Sequence, residues 1–252
     1  MKSINIDKYI YVDVHCHLYE YPEPEIEELT RETLIFAVSD DYTSSIRTLE
    51  LSRKYKNVVP GIGIHPWEIG INVHEDEVAK IVGLIEKEKI VMIGEVGLDS
   101  RFRKETLELQ EKILRTILEA SPPNIIFNVH ALGTWGKVFE LLTKFNVKVA
   151  IFHWYSGPSE LLRELEAQGY YISVNPSIEF QRKHRDVVRQ APLDIILTES
   201  DGPYRYRGRM LSPRLIPLTI NILSRVKEIG EEEVVKVIQR NTERILKSVN
   251  LI

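Results

Sequence analysis

Five of the seven histidines in this chain end short runs of β-forming residues. His15 and His17 close YIYVDVHCH, His65 follows VVPGIGI, His130 follows NIIFNV and His153 follows VKVAIF. Glu95 ends IVMIGE, and Asp201 lies just past DIILTES. Imidazole nitrogens and carboxylate oxygens together suit Zn²⁺, Mn²⁺ or Mg²⁺, and the spacing does not choose among them. Side chains alternate along a strand, so His15 and His17 share one face while Cys16 takes the other. A lone histidine is usually an ordinary hydrogen-bonded residue, and His74 and His184, in polar helical stretches, are read that way. Five at one kind of position are not scatter. Buried carboxylates there are costly unless compensated, and a divalent ion compensates them. His15, His17, Glu95, His130, His153 and Asp201 make six ligands, too many for one open site. They suit two ions that share a carboxylate, an arrangement that activates a bridging water and clamps the attacking and leaving oxygens of a displacement.

Strands must end side by side to gather these residues. Eight segments read as strands: Tyr9–Val14, Thr33–Val38, Val58–Ile64, Ile90–Gly94, Asn124–Val129, Val147–Phe152, Tyr170–Val174 and Asp194–Leu197. They are apolar on both faces, as in a sheet covered on both sides. Helical patterns lie between them. Lys104–Ala120 puts Leu107, Gln110, Leu114, Ile117 and Leu118 on one stripe. Ser156-Gly157-Pro158 opens another helix that Gly169 closes. Glu231–Lys247 begins with three glutamates and carries Val234, Ile238, Asn241 and Ile245 on one side. Strands recur at roughly the interval of a βα unit, about 20–35 residues. The expected fold is α/β, a (β/α)8 TIM-type barrel spanning residues 1–252 as one domain, with its active site at the C-terminal strand ends. An open doubly wound sheet would gather ligands at one switch point only.

Bulk properties narrow the function classes. The 252 residues are 43% hydrophobic and 28% charged, enough for one sizeable core. No apolar run is long enough to span a bilayer. The opening MKSINIDKYI lacks a secretory pattern, and a lone Cys16 excludes an intrachain disulfide, so a cytoplasmic home is expected. A net charge of −4 supplies no global basic field, so attraction to a polyanion must be local. Neither GxGxxG nor GxxxxGK[ST] occurs, which argues against dinucleotide and P-loop chemistry.

The blocks DVHCHL (13–18), GIGIHPW (61–67), GEVGLD (94–99), His130, FHWYSG (152–157), TESDGPY (198–204) and RNTERIL (240–246) run in order along the chain. Together they resemble the TatD family of metal-dependent deoxyribonucleases, among the amidohydrolase-like barrels. The resemblance implies that His15, His17 and Asp201 hold one ion, that His130 and His153 hold the second, and that Glu95 bridges them. It implies that His65 contacts a substrate phosphate or the leaving group. Asp201 would accept a proton from the attacking water. The implied substrates are DNA 3′ ends, abasic sites or related phosphodiesters. Four departures fall around the substrate: Tyr19 replaces a usual aspartate, no arginine follows His130 by two residues, Ser100 replaces an aromatic, and GYYISVNP lacks a glycine after its serine.

Two basic clusters follow ligand-bearing strands: Arg101-Phe-Arg-Lys104, and Tyr204-Arg-Tyr-Arg-Gly-Arg209. Tyr204, Arg205 and Arg207, interleaved aromatic and cationic, suit base stacking and phosphate contact. Trp67, Trp135 and Trp154 either line a cleft or cap the barrel. Asp13 and Glu199 are candidates to orient imidazoles from behind. The expected function is phosphodiester hydrolysis, most naturally of DNA, by a hydroxide bridging two divalent ions. The alternatives are hydrolysis of a small ester, amide or aminoacyl ester by a similar barrel, and a silent metal-binding barrel. No membrane and no obligate protein partner is implied, and the chain is expected as a monomer or small homo-oligomer.

Overall fold

The computed structural model describes residues 4–71 and 75–252, so His74 lies outside the described residues. Eight strands form one parallel sheet in sequential order: β1 (Tyr11–Cys16), β2 (Thr33–Ala37), β3 (Val58–Ile62), β4 (Met92–Gly97), β5 (Ile126–His130), β6 (Val149–Phe152), β7 (Tyr171–Val174) and β8 (Ile196–Thr198). Helices α1 (Glu23–Leu29), α2 (Tyr42–Lys54), α3 (Glu75–Lys87), α4 (Leu107–Ala120), α5 (Trp135–Lys144), α6 (Leu162–Gln168) and α7 (Arg182–Gln190) connect successive strands. A hairpin of β9 (Arg205–Tyr206) and β10 (Arg209–Met210) follows β8, then α8 (Ile216–Lys227) and α9 (Glu231–Ser248). The sheet curls into a TIM-type (β/α)8 barrel, because right-handed crossovers of one hand leave the first and last strands adjacent. Hydrogen bonds join those ends, among them Thr198 Oγ1 donating to Val12 O at 2.6 Å, Asp201 N to His15 O at 2.9 Å, and His17 N to Gly202 O at 2.8 Å.

The strands are buried on both faces because side chains fill the barrel inside and helices cover it outside. Val14, Phe36, Ile62, Met92, Ile126 and Ile151 all belong to one continuous core. The expected helix stripes face it: Gln110, Leu114, Ile117 and Leu118 are buried on α4, and Val234, Ile238, Asn241 and Ile245 on α9. Asn241 has a task there. Its amide donates to Leu193 O and Ile196 O, both at 2.9 Å, and so ties α9 to the start of β8.

Several strands begin about two residues later than the apolar runs suggest. Ile10, for example, is 51% exposed and stays outside the barrel. The shift matters for function, since it draws His15 into β1 and Glu95 into β4 instead of leaving them past the strand ends. The pairing register slips across both positions, between Asp13 and Cys16 on β1 and between Ile93 and Val96 on β4. Such irregularities re-aim side chains. Gly97 on β4 permits the close packing needed beside His130, because a Cβ there would stand 1.9 Å from His130 O.

His184 departs from the expected hydrogen-bonded role. It is fully buried on α7, and neither ring nitrogen has a hydrogen-bond partner. Burial pushes its pKa down to about 4, only partly opposed by Glu199. An unfolded chain binds the proton near pH 6.5 and the folded one does not, so stability falls as pH drops from about 6.5 to about 4. The full loss is about 3 kcal/mol. His184→Leu is expected to remove it. Its melting temperature relative to the wild type should therefore be higher at pH 5 than at pH 8, and a pH-independent difference would refute this account.

Candidate metal centre

Glu95 is the floor of the site. Its carboxylate is buried to 1% exposure near the barrel axis, and ring nitrogens approach each of its oxygens. Around Oε2 stand His15 Nε2 at 3.2 Å and His17 Nε2 at 3.5 Å. Asp201 Oδ1 completes this group, 3.5 Å from both of those nitrogens. Around Oε1 stand His130 Nδ1 at 3.0 Å, His153 Nε2 at 3.1 Å and His65 Nε2 at 3.3 Å. His130 Nδ1 and His153 Nε2 also face each other at 3.3 Å. The structure thus brings together every metal-site residue expected from the sequence, in two groups that share one carboxylate.

The outer ring atoms decide what these nitrogens can do. His15 Nδ1 lies 2.8 Å from Asn128 Oδ1, and Asn128 Nδ2 donates to Val14 O, which fixes the amide with its oxygen toward the ring. His17 Nδ1 lies 3.1 Å from Asp40 Oδ1, His130 Nε2 lies 2.9 Å from Asp99 Oδ2, and His153 Nδ1 lies 3.7 Å from Glu199 Oε1. Asn128 and Asp99, at hydrogen-bond distance, hold a proton on the outer nitrogens of His15 and His130, while Asp40 and Glu199 stand behind His17 and His153 without a hydrogen bond. With the outer nitrogens protonated, the inward ones have lone pairs for a cation and become a ligand set. Without a cation, His17, His130 and His153 favour a second proton and pair with the carboxylates. Ligands about 2.0–2.2 Å from a common ion stand about 3–3.5 Å apart, the range of the spacings here.

His65 is built the other way round. The backbone N–H of Trp67 donates to its Nδ1 at 3.1 Å, so the neutral ring carries its proton on Nε2 and faces the site as a donor. Distance alone would group it with the ligands; the hydrogen bond argues for a substrate contact.

Electrostatics follow from this crowding. Burial raises the cost of charging Glu95, but His65, His153, His15 and the hydrogen bond to His130 hold its carboxyl well below the usual range. Burial likewise opposes protonation of His17, and Asp40 and Asp201 outweigh it, leaving that ring well above its ordinary value. His153 is raised against burial by Glu95 and Glu199, and His130 by Asp99 and Glu95. The carboxylates therefore give the site a net pull on positive charge, which the rings meet by binding protons.

Local backbone aims the remaining groups. Asp201 and Trp154 both adopt left-handed φ, 55° and 42°, an uncommon conformation for non-glycine residues that places each at the end of its strand facing inward. Asp41 caps α2 by accepting from Ser44 N at 2.7 Å, which sets the adjacent Asp40 beside His17. Tyr19 donates to Asp40 Oδ2 at 2.7 Å, so the residue that departs from the family pattern supports the Asp40–His17 pair.

Two expectations about orienting groups separate. Glu199 does stand behind His153, held by Ser173 and Asn175. Asp13 does not orient an imidazole: its Oδ1 accepts from the backbone N–H of His15 at 3.2 Å and of Ser200 at 2.9 Å, and so pins β1 to the end of β8. Sequence reading missed Asn128, Asp40 and Asp99. Asn128 had a signal, as the one amide in the apolar run IIFNV, and Asp99 closes the GEVGLD block; Asp40 sits among ordinary loop polar residues.

Above the metal groups opens a cavity of about 500 Å³. His65, Trp67, Phe102, Ala131, Leu132, Trp135, Trp154 and Gln181 line it, with Tyr204, Arg205 and Tyr206 from the hairpin segment. Leu132 occupies the place two residues after His130 where the family commonly has arginine. Arg207 points elsewhere on the hairpin and does not line the cavity.

A (β/α)8 barrel with clustered histidines and carboxylates at the C-terminal strand ends belongs to the class of metal-dependent hydrolases. The match to known proteins is more specific. The family model described as TatD related DNase covers residues 12–247, and the chain belongs to that family. An uncharacterized metal-dependent hydrolase of Methanocaldococcus jannaschii is 32% identical, over 94% of this chain and 97% of its own. Deoxyribonuclease TATDN3 of Homo sapiens is 26% identical, over 91% and 92%. The crystal structure of the TatD homolog YJJV from Escherichia coli superposes with a TM-score of 0.84 at 22% identity, covering 94% of this chain and 97% of that one.

Glu95→Gln is expected to abolish tight binding of Zn²⁺ or Mn²⁺, measured by calorimetry and elemental analysis, because one substitution weakens both groups. Asp99→Asn and Asn128→Ala should each retain binding but weaken it about 10–100-fold. Undiminished metal content in Glu95→Gln would remove the carboxylate from its central place.

Proposed function

We propose that this metal-dependent hydrolase cleaves phosphodiester bonds in DNA, at a 3′ end or an abasic site, with two divalent ions at the Glu95 centre. The observation that carries the reading is the pair of ligand groups on opposite oxygens of Glu95, beneath a cavity whose hairpin side bears Arg205, Tyr204 and Tyr206. His15, His17 and Asp201 would hold one ion, His130 and His153 the other, and Glu95 both; Mg²⁺, Mn²⁺ and Zn²⁺ all suit the donors. Bound there, the ions would activate a water and neutralise charge on the phosphoryl oxygens. Asp201, at the mouth of the metal groups, accepts the proton of the attacking water. His65 donates from Nε2 to the leaving oxygen as it gains charge. Arg205 and Tyr204 bind the phosphate and base next to the bond, and Arg207 reaches a phosphate further out.

A second reading has one observation in its favour. Ala131 and Leu132 give the cavity an apolar side, which suits a small ester or amide. The purified protein supplied separately with Mg²⁺, Mn²⁺ or Zn²⁺ should turn over end-labelled single-stranded, duplex or abasic DNA faster than a panel of small esters. Turnover confined to the esters would sink the nuclease reading. His65→Ala should lower kcat about 100-fold or more with metal content unchanged. Lost metal content in that variant would instead make His65 a ligand.

A further inference from the structure

Trp67 stands where the ends of β3, β4 and β5 meet, and its two N–H groups act in opposite senses on neighbouring rings. It sits on the turn after β3, closed by Glu68 N donating to His65 O at 3.0 Å. From that turn its backbone N–H reaches His65 Nδ1 at 3.1 Å, and its indole Nε1–H reaches Asp99 Oδ2 at 2.6 Å. The same oxygen lies 2.9 Å from His130 Nε2. The main chain thus keeps the proton of His65 on its inner nitrogen. The side chain, through Asp99, keeps a proton on the outer nitrogen of His130 and leaves the inner one available to a cation. The indole also fills the space beside the two rings, edge-on to His65 with centres 5.2 Å apart and 6.1 Å from that of His130.

Asp99 needs that anchor. It lies just past β4, and its backbone N–H donates to Gln110 Oε1 on α4 at 2.8 Å. The backbone N–H groups of Arg101 and Phe102 donate to its Oδ1 at 2.7 and 2.8 Å. Those contacts fix one oxygen and leave the carboxylate free to turn about it. The indole fixes the other oxygen from the β3 loop. Without the indole, Oδ2 would be aimed mainly by the ring that it should itself aim. Phe102 packs edge-on against the indole with centres 5.5 Å apart, so the two anchors of Asp99 brace each other. The other ring on this side of Glu95 has no comparable support. His153 Nδ1 stands 3.7 Å from Glu199 and makes no hydrogen bond among the described residues. His130 is therefore the ring that gives this group its fixed geometry.

We infer that Trp67 is a positioning residue for the ion on the His130–His153 side of Glu95, acting through Asp99 on the tautomer and aim of His130. The inference rests on the two-ion reading of the centre and adds that one side chain sets the affinity of one ion. Trp67→Phe removes the indole N–H and keeps both an aromatic ring and the backbone N–H to His65. Calorimetric titration of the metal-free protein with Zn²⁺ should resolve two binding steps in the wild type. In Trp67→Phe one step should weaken about ten-fold or more, the loss expected when a group supporting a ligand is removed. The other step should change far less. A second measurement leaves Trp67 in place: heteronuclear NMR of protein carrying isotope-labelled tryptophan. The Trp67 indole N–H signal should move during one of the two Zn²⁺ steps and stay still during the other. His153→Ala, which takes a ring from the same ion, should leave that signal still while the remaining ion binds. His17→Ala, which weakens the other ion, should leave the signal moving. Unchanged affinity at both steps, equal weakening of both, or an indole signal that ignores Zn²⁺ or is silenced by His17→Ala overturns the inference. Two ions bound by the wild type with the variant unaffected overturns it alone. A wild type that binds a single ion overturns the two-ion reading and the inference with it.

Discussion

A carboxylate taken out of water inside a barrel is among the costliest groups a fold can bury, and Glu95 is held there by five imidazoles. Everything around it follows from that constraint. Four separate strand ends must deliver five rings to within 3.0–3.5 Å of one carboxylate. Four of the rings must also turn a lone pair inward, which an acceptor behind the ring favours. The barrel meets the first demand because its parallel strands all end on one side. Asn128 and Asp99 meet the second for His15 and His130, and Asp40 and Glu199 stand behind His17 and His153 as charge partners.

The contrast between His65 and the other four rings shows how little separates a ligand from a donor. All five lie at similar distances from Glu95. A single backbone N–H, that of Trp67, reverses the tautomer of His65 and with it the chemistry the ring can offer. In a site built of identical side chains, roles are assigned by what stands behind each one.

Around this preorganised floor the rim is looser and more particular to this chain. Tyr19, a departure from the family pattern, braces Asp40 and leaves the ligand positions undisturbed. Leu132 and the Trp154–Gln181–Tyr206 clasp shape the cavity walls without touching Glu95. Trp67 ties the two layers together, donating from Nε1 to Asp99 Oδ2 at 2.6 Å and packing against His65 and His130.

The sequence by itself determined the element order, the barrel and the identity of the inward-facing residues. Those properties are local or periodic: apolar runs covered on both sides, helix stripes, and titratable residues recurring at strand ends. His15, His17, His65, Glu95, His130, His153 and Asp201 were all legible for that reason. The family resemblance already implied how they divide around Glu95; what only the tertiary structure decided is which atoms meet. Depth in the barrel depends on where each strand begins pairing, and this drew Glu95 into β4 as the shared centre. Tautomers depend on partners that come from other strands, such as Asn128 against His15 across 113 residues. Asp13 illustrates the limit: alternation placed it on the face of His15, but the backbone of Ser200, delivered by the closing of the barrel, claimed its carboxylate. Patterns along a chain specify which side chains face inward; only the packed strands specify which atoms meet.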